Sequence, residues 1–447
     1  MRISPSIVKI LKTEFDNQIS SEDWLEMLLT GDLYNFEQLL HDRMTNLYDK
    51  ICETLIQSVS SCAEFKNSQK ELAEKKGLKK LVSRSVELQL RTGTKIRYDS
   101  LYAKKVPKDY EGSRHLSMLL WSSLKKSSPM HQSITCLLSV ICPSFDLSKW
   151  MLRYQGIHAN YDRTRELSLS LGESCMANRS SIQLVEGESL ANKRVVVSID
   201  GGRARTRAYK EDTKAKRGQK FDTPWREPKL FVITTLDENG KINKQDLPIY
   251  DSSFGDDETF AILEQYLKKL QIDKAKNVQF IADGAPWIWN RAKPMLLGLG
   301  VKKEKIIETL DYYHAMEHLH DLMLYVEKDQ KDSIFKKLKQ ALWEGNLSKM
   351  KRLVLKGIPG VDLDKFTPYN YFVKNRKRID YQSLKKQNQP LGSGVVESGI
   401  RRVINLRFKS PSTFWYPENV EKLILMRGIA LSGRWETMMN NLTKLQK

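Results

Sequence analysis

Two short apolar runs, KRVVVSID and NVQFIAD, limit the folds open to this chain more than any other feature. Neither alternates apolar with polar residues, so neither suits a sheet with one wet face. Each reads as a strand covered on both sides, and such strands belong to parallel or mixed sheets layered between helices. Both runs close on an aspartate, Asp200 and Asp283, and a glycine follows each. Strand ends of such a sheet open into a crevice, so neighbouring strands would bring the two carboxylates together. Like charges at that range repel unless a cation or a proton lies between them, and the glycines would leave room for a bulky ligand. The competing reading is that each aspartate only caps the turn after it.

The flanking pattern completes a sheet. KLFVITTLD and QDLPIYDSS read as strands, DDETFAILEQYLKKL as an amphipathic helix with an acidic start, and APWIWNRAKPML as a helix with proline in its first turn. KIIETLDYYH is a fifth strand running into a helix. Three strands, a helix, a strand, a helix and a strand suit a ribonuclease-H-like mixed five-stranded sheet. From 318 to 385 the chain is polar and helical, which predicts a helical insertion.

A third carboxylate follows that insertion. Glu397 lies in GSGVVESGIRRVI, where Val395, Val396, Ile400, Val403 and Ile404 mark a helix face packed on the sheet, so Glu397 can aim at the strand ends. Arg401, Arg402, Arg407 and Lys409 come next as candidate DNA contacts, and a surface ion pair is the alternative for Glu397. Two strand-end aspartates and one helical glutamate suit a pair of hard dications, which about 3.5 to 4 Å apart clamp the attacking and leaving oxygens of a phosphodiester displacement. The loop after Asp200 is rich in Arg203, Arg205, Arg207, Lys216 and Arg217, a setting for phosphate contacts. Trp287, Trp289, Trp415 and Tyr416 suit either stacking on an unpaired base or packing in a core.

The first 188 residues read differently. Helical spacing runs to about residue 75; the period then becomes two in SRSVELQL and TKIRYDSLY, which Arg91-Thr92-Gly93 joins as a β-hairpin. Its basic cluster suits either a phosphate backbone or a solvated face. DLSKWMLRYQ, GIHAN and YDRTRELSLSLGE have the form of a helix-turn-helix, or of an αα-hairpin burying Trp150, Leu152 and Leu167. The expected division is therefore 1–125, a mainly helical DNA-binding region with the hairpin; 126–188, helix-turn-helix-like; 189–317 with 386–447, the sheet domain; and 318–385, the insertion.

Composition points to a polyanion as partner. The 447 residues carry 74 Lys and Arg against 54 Asp and Glu, a formal charge of +20 spread along the chain. Five cysteines show no CxxC pair or zinc spacing and read as buried thiols of a reducing compartment. No stretch approaches a membrane span, and MRISPSIVKILKTEFD is charged too early for a secretory signal. There is no P-loop and no HExxH, and the run before GSGVVESG is polar rather than a strand.

In combination, SIDGGRARTR, IADGAPWIWN, LDYYHAMEHL and GSGVVESGIRRVINLRFK resemble the successive blocks of the DDE transposases of bacterial insertion sequences, over roughly residues 190 to 430. The resemblance implies catalytic acids at Asp200, Asp283 and Glu397, separated by 83 and 114 residues, the second interval holding the insertion. It implies two Mg²⁺ ions, for which Mn²⁺ substitutes; Asp200, on the central strand, is the expected bridging ligand. Asp311-Tyr312-Tyr313-His314 is similar to the Asp-x-x-His element of several transposase superfamilies; His314 would then act on the scissile phosphate, with Asp311 setting its tautomer, while a core histidine is the alternative. The implied partners are double-stranded element ends and target DNA, with a homodimer or larger assembly, in a bacterial cytoplasm. Rival readings are a ribonuclease-H-like nuclease that does not join strands and a domesticated DNA-binding protein that does not cut.

Overall fold

The computed structural model describes residues 5–19, 23–209, 220–410 and 413–445. The chain divides into two compact units, Met1–Ser174 with Met439–Lys447, and Cys175–Met438. Among the described residues no helix is long and apolar enough to cross a membrane.

In the first unit the long helix Leu33–Ser61 opens on Asp32, whose carboxylate accepts the amide of Asn35. Strands β1 (Lys79–Gln89) and β2 (Lys95–Lys105) form the expected antiparallel hairpin, with Val86 opposite Tyr98 and Gln89 opposite Lys95. Period two does the work here: Val86, Leu88, Ile96 and Tyr98 turn inward onto Met118 and Trp121, and Phe65 stacks on Trp121 at 4.9 Å. Asp49 of the long helix ties down the hairpin turn, accepting from Thr92 Oγ1 at 2.7 Å and Thr94 Oγ1 at 2.6 Å.

Helices Phe145–Tyr154 and Tyr161–Ala177 stand where the helix-turn-helix pattern predicts them. Leu152 and Leu167 are buried, but Trp150, placed in the core by the αα-hairpin reading, is 57% exposed and stacks on exposed Tyr154 at 5.6 Å. The reason is phase: Trp150 lies two residues from Leu152, on the other side of the helix.

His131, in the helix Pro129–Ile141, is buried and its Nδ1 has no hydrogen-bond partner. Burial first, then Arg163, holds the imidazole down to about 4. A depressed folded value means that the unfolded chain takes up the extra proton, so stability should fall as the pH drops from about 6.5 towards 4, by at most about 3 kcal/mol. Denaturation at several pH values should show this slope in the wild type and a flatter one in His131→Gln; equal slopes would exclude the histidine as its source.

The second unit is built on β3 (Arg194–Gly201), to which a two-residue ribbon of β4 (Ala204–Arg205) and β5 (Trp225–Arg226) is appended. The remaining strands are β6 (Lys229–Leu236), β7 (Ile249–Ser253), β8 (Asn277–Ala282) and β9 (Ile306–Leu310). The main sheet has the order β7-β6-β3-β8-β9, with β3, β8 and β9 parallel and β6 antiparallel to β3 and β7. This is the mixed five-stranded sheet expected, consistent with a ribonuclease-H-like fold. Val195, Val197 and Ile199 face helices Asp256–Lys269 and Pro286–Gly298, which bury Leu263, Tyr266, Ile288 and Ala292 against them. The other face is crossed by Gly394–Gly399 and Pro417–Leu431.

Helices between Tyr312–Met323 and Tyr381–Lys386 form a separate core around Leu319, Leu338, Met350 and Phe372. The excursion closes where it opens. Leu310 N donates to Arg378 O at 2.9 Å, and Tyr312 N donates to Leu391 O at 3.0 Å. Glu397 is thereby returned to the strand end it left 86 residues earlier at Asp311.

Candidate active site

Sheet register assembles the acids. Ser198 pairs with Ile281, and Ile281 with Thr309. Two residues further on, Asp200, Asp283 and Asp311 fall in one row across three parallel strand ends, with neighbouring strands roughly 4.8 Å apart. Because side chains alternate, all three point to the face crossed by the Glu397 helix. Asp311 N continues the ladder by donating to Ala282 O at 2.8 Å.

Each acid has a distinct environment. Asp200 Oδ1 accepts its neighbour Gly201 N at 2.6 Å. Burial, then the charges of Asp283 and Glu397, push its carboxyl up to about 6 against the Gly201 amide and His314, which lower it. Asp283 Oδ1 caps its own turn by accepting Ala285 N at 3.0 Å, as the capping reading expects. Asp311 is fully buried and caps the helix Tyr312–Met323, accepting Tyr313 N at 2.6 Å and His314 N at 3.1 Å.

The closest potential ligand set among the described residues is Asp311, His314 and Glu397, whose donor atoms all lie within 4.8 Å of one another. Ser393 joins it: its amide donates to Asp311 Oδ2 at 2.5 Å, and its Oγ lies between Asp311 Oδ2 and Glu397 Oε1, 3.1 Å from the latter. Burial raises the Asp311 carboxyl, but His314 and Ser393 more than offset it, holding it at about 2. His314 Nδ1 is 3.7 Å from Asp311 Oδ1, an ion-pair separation with no hydrogen bond made. That carboxylate is the main reason the imidazole is raised to about 9, outweighing burial; Asp200 adds to it. His314 is therefore cationic at neutral pH. Ser393 was not legible as a site residue, although its place in GSG four residues before Glu397 is one turn of a helix.

Gly202 and Gly284 make room for protein rather than for a ligand. A Cβ at Gly202 would stand 2.6 Å from Ile404 Cδ1, and one at Gly284 2.3 Å from Tyr371 Cε2. Directly after Gly394–Gly399 the helix widens into a π turn, Ile400–Asn405, of the kind often found beside functional sites. Val396, Val403 and Ile404 are buried as expected.

The basic residues separate into two groups. Arg203, Arg401, Arg402 and Lys409 are exposed, Arg402 also donating to Tyr250 Oη at 3.2 Å. Arg407, expected on a DNA-facing surface, is instead 1% exposed, with its guanidinium 5.3 Å from the Trp415 ring centre, because the chain beyond the π turn points it inward. Arg205 lies over Trp225 and Phe414, and Arg207 over Phe221 and Tyr416 while donating to Phe414 O. Both brace the β4–β5 ribbon. Lys216 and Arg217 lie outside the described residues. Trp287 is half-buried, edge-on to Phe260 at 5.9 Å, and Trp289 is a core residue donating to Asp283 O at 2.6 Å.

The donor set fits a hard dication. Asp311 and Glu397 offer carboxylate oxygens close enough to share one, with Asp200 and Asp283 outside that group; burial first, and the neighbouring carboxylates after it, raise Asp200.

No family model and no curated protein matches the chain. Among solved structures, the Drosophila P element transposase strand transfer complex is similar with a TM-score of 0.25 and 12% sequence identity, over 73% of this chain and 84% of that one.

Proposed function

We propose that this chain is a DNA transposase that cuts the ends of its mobile element and joins the freed 3′-hydroxyls to target DNA. The observation that carries this reading is the row of Asp200, Asp283 and Asp311 on the face crossed by the Glu397 helix. Asp200, Asp283 and Glu397 would hold two Mg²⁺ ions, which supply the Lewis acidity that activates a water or 3′-hydroxyl and stabilises the leaving 3′-oxygen. Asp311 and Ser393 orient His314 and Glu397 respectively, and cationic His314 offers a proton or a charge-assisted hydrogen bond to a phosphate oxygen. The net charge of +20 draws DNA to the protein, and residues 1–188 are assigned to recognition of the element ends.

The test is a cleavage and joining assay on DNA bearing the element ends, with Mg²⁺ or Mn²⁺, followed by sizing of the products. Joined 3′ ends are expected. Hydrolysis without joining would replace this reading with that of a nuclease, and intact DNA would mean a protein that only binds.

A further inference from the structure

Tyr371 lies on the helix Thr367–Lys374, within the insertion and far in sequence from every acid of the site. Its neighbour Phe372 is fully buried in the insertion core and meets the Tyr371 ring edge-on at 5.4 Å, which fixes the helix against that core. On the other side the Tyr371 ring rests on the His318 imidazole, 3.7 Å between centres, one turn beyond His314. Its edge presses on Gly284, next to Asp283, so closely that no other residue fits there without a shift. The insertion is thus seated on the strand end that carries the second acid.

The phenol hydroxyl serves no purpose in this packing. It is buried, the Gly284 amide approaches it, and yet it makes no hydrogen bond of acceptable geometry. The ionisable groups around it are the carboxylates of Asp283, Asp311 and Glu317, with the His318 imidazole against the ring and Tyr381 nearby. A buried hydroxyl without a partner lowers stability, and phenylalanine would pack the same ring without that cost. A hydroxyl held beside Asp283 without a protein partner is a donor waiting for an acceptor brought to that carboxylate.

Resting on the phosphoryl-transfer reading above, we propose that the insertion contributes a catalytic residue, Tyr371, whose hydroxyl donates a hydrogen bond to a non-bridging oxygen of the phosphate being cut. The bond strengthens as negative charge builds on that oxygen in the transition state, so its loss slows cutting while leaving the binding of uncut DNA almost unchanged. The helical excursion then has a chemical part in the reaction besides its packing.

The experiment compares wild type with Tyr371→Phe in the full chain. Single-turnover cleavage should fall about 10- to 300-fold, the range for losing one preorganised donor. Affinity for uncut DNA in EDTA should not change, and Tm should equal or exceed that of the wild type, since a stranded hydroxyl has gone. On DNA with a methylphosphonate at the scissile position, one diastereomer lacks the oxygen in question; on it Tyr371→Phe should cost nothing further. Wild-type cleavage by Tyr371→Phe, a fallen Tm, or an equal penalty on both diastereomers would overturn the proposal. Asp283→Ala is the control: if that variant still cuts, the acid-site reading beneath this one fails, whatever Tyr371 does.

Discussion

Asp283→Asn, which removes the charge but keeps an oxygen for the Ala285 amide, is expected to abolish DNA cleavage and joining, by about a thousandfold or more, and at the same time to raise the Tm of the metal-free protein at pH 7.5. The two effects have one cause. On the proposed reading the acids gather to hold cations, so the metal-free fold bears their mutual repulsion. Asp200 reports this, its carboxyl being raised to about 6 by burial and then by Asp283 and Glu397. A folded value above the ordinary 3.8 means that the stability this group contributes is present in full below about pH 3.8 and is lost as the pH rises through 6. At pH 7.5 the whole penalty applies, at most about 3 kcal/mol, of which the Asp283 charge is the smaller share after burial.

Mg²⁺ should therefore raise Tm at pH 7.5 relative to EDTA and do so much less at pH 5, where a proton on Asp200 competes with the metal. Thermal melts at both pH values, with and without Mg²⁺, check this. In Asp283→Asn the Mg²⁺ shift should shrink together with activity. Glu397→Gln should behave alike, whereas a variant that retained cleavage would remove its acid from the site.

Arg434→Met is expected to lower the Tm of the second unit by roughly 10 °C, with no acid of the site touched. The guanidinium is 2% exposed and every donor is occupied. Nε donates to Pro248 O at 2.9 Å; one terminal nitrogen donates to Gln183 O at 2.8 Å and Glu188 Oε2 at 2.9 Å; the other donates to Glu188 Oε1 at 2.6 Å and Leu247 O at 2.5 Å. It thereby ties the segment before β3 to the approach of β7. Methionine fills the volume but strands three carbonyls and a carboxylate, and breaking such a buried pair costs about 3 to 5 kcal/mol. Replacing Glu188 as well, in Glu188→Leu with Arg434→Met, should recover part of the loss by removing the stranded charge. Calorimetry settles it: a fall of under about 2 °C would mean that the network contributes little.

Much of this was legible because local patterning carries it. VVVSI and VQFIA are apolar without alternation, so their place between helix layers follows from what each residue must avoid, namely water. The hairpin follows from period two and the Glu397 helix from its valines and isoleucines. The charge surplus was likewise readable as a preference for polyanions. What these patterns lack is any statement of which residue meets which across a long interval. Arg205 and Arg207 look like phosphate contacts until the aromatics at 221, 225, 414 and 416 close over them. Arg407 looks exposed until a π turn re-phases the helix.

The sequence by itself determined the strands, their terminal aspartates, the helix that bears Glu397 and the basic character of the whole, since burial and periodicity are properties of consecutive residues. Tertiary structure alone decided that Asp200, Asp283 and Asp311 stand in one row, that Ser393 lies between Asp311 and Glu397, and that Tyr371 reaches Gly284. Apart from Ser393 with Glu397, those are pairings across 28 to 111 residues, and they are set by sheet register and by the closing of the insertion on itself, which depend on the packing of the entire unit rather than on any one segment.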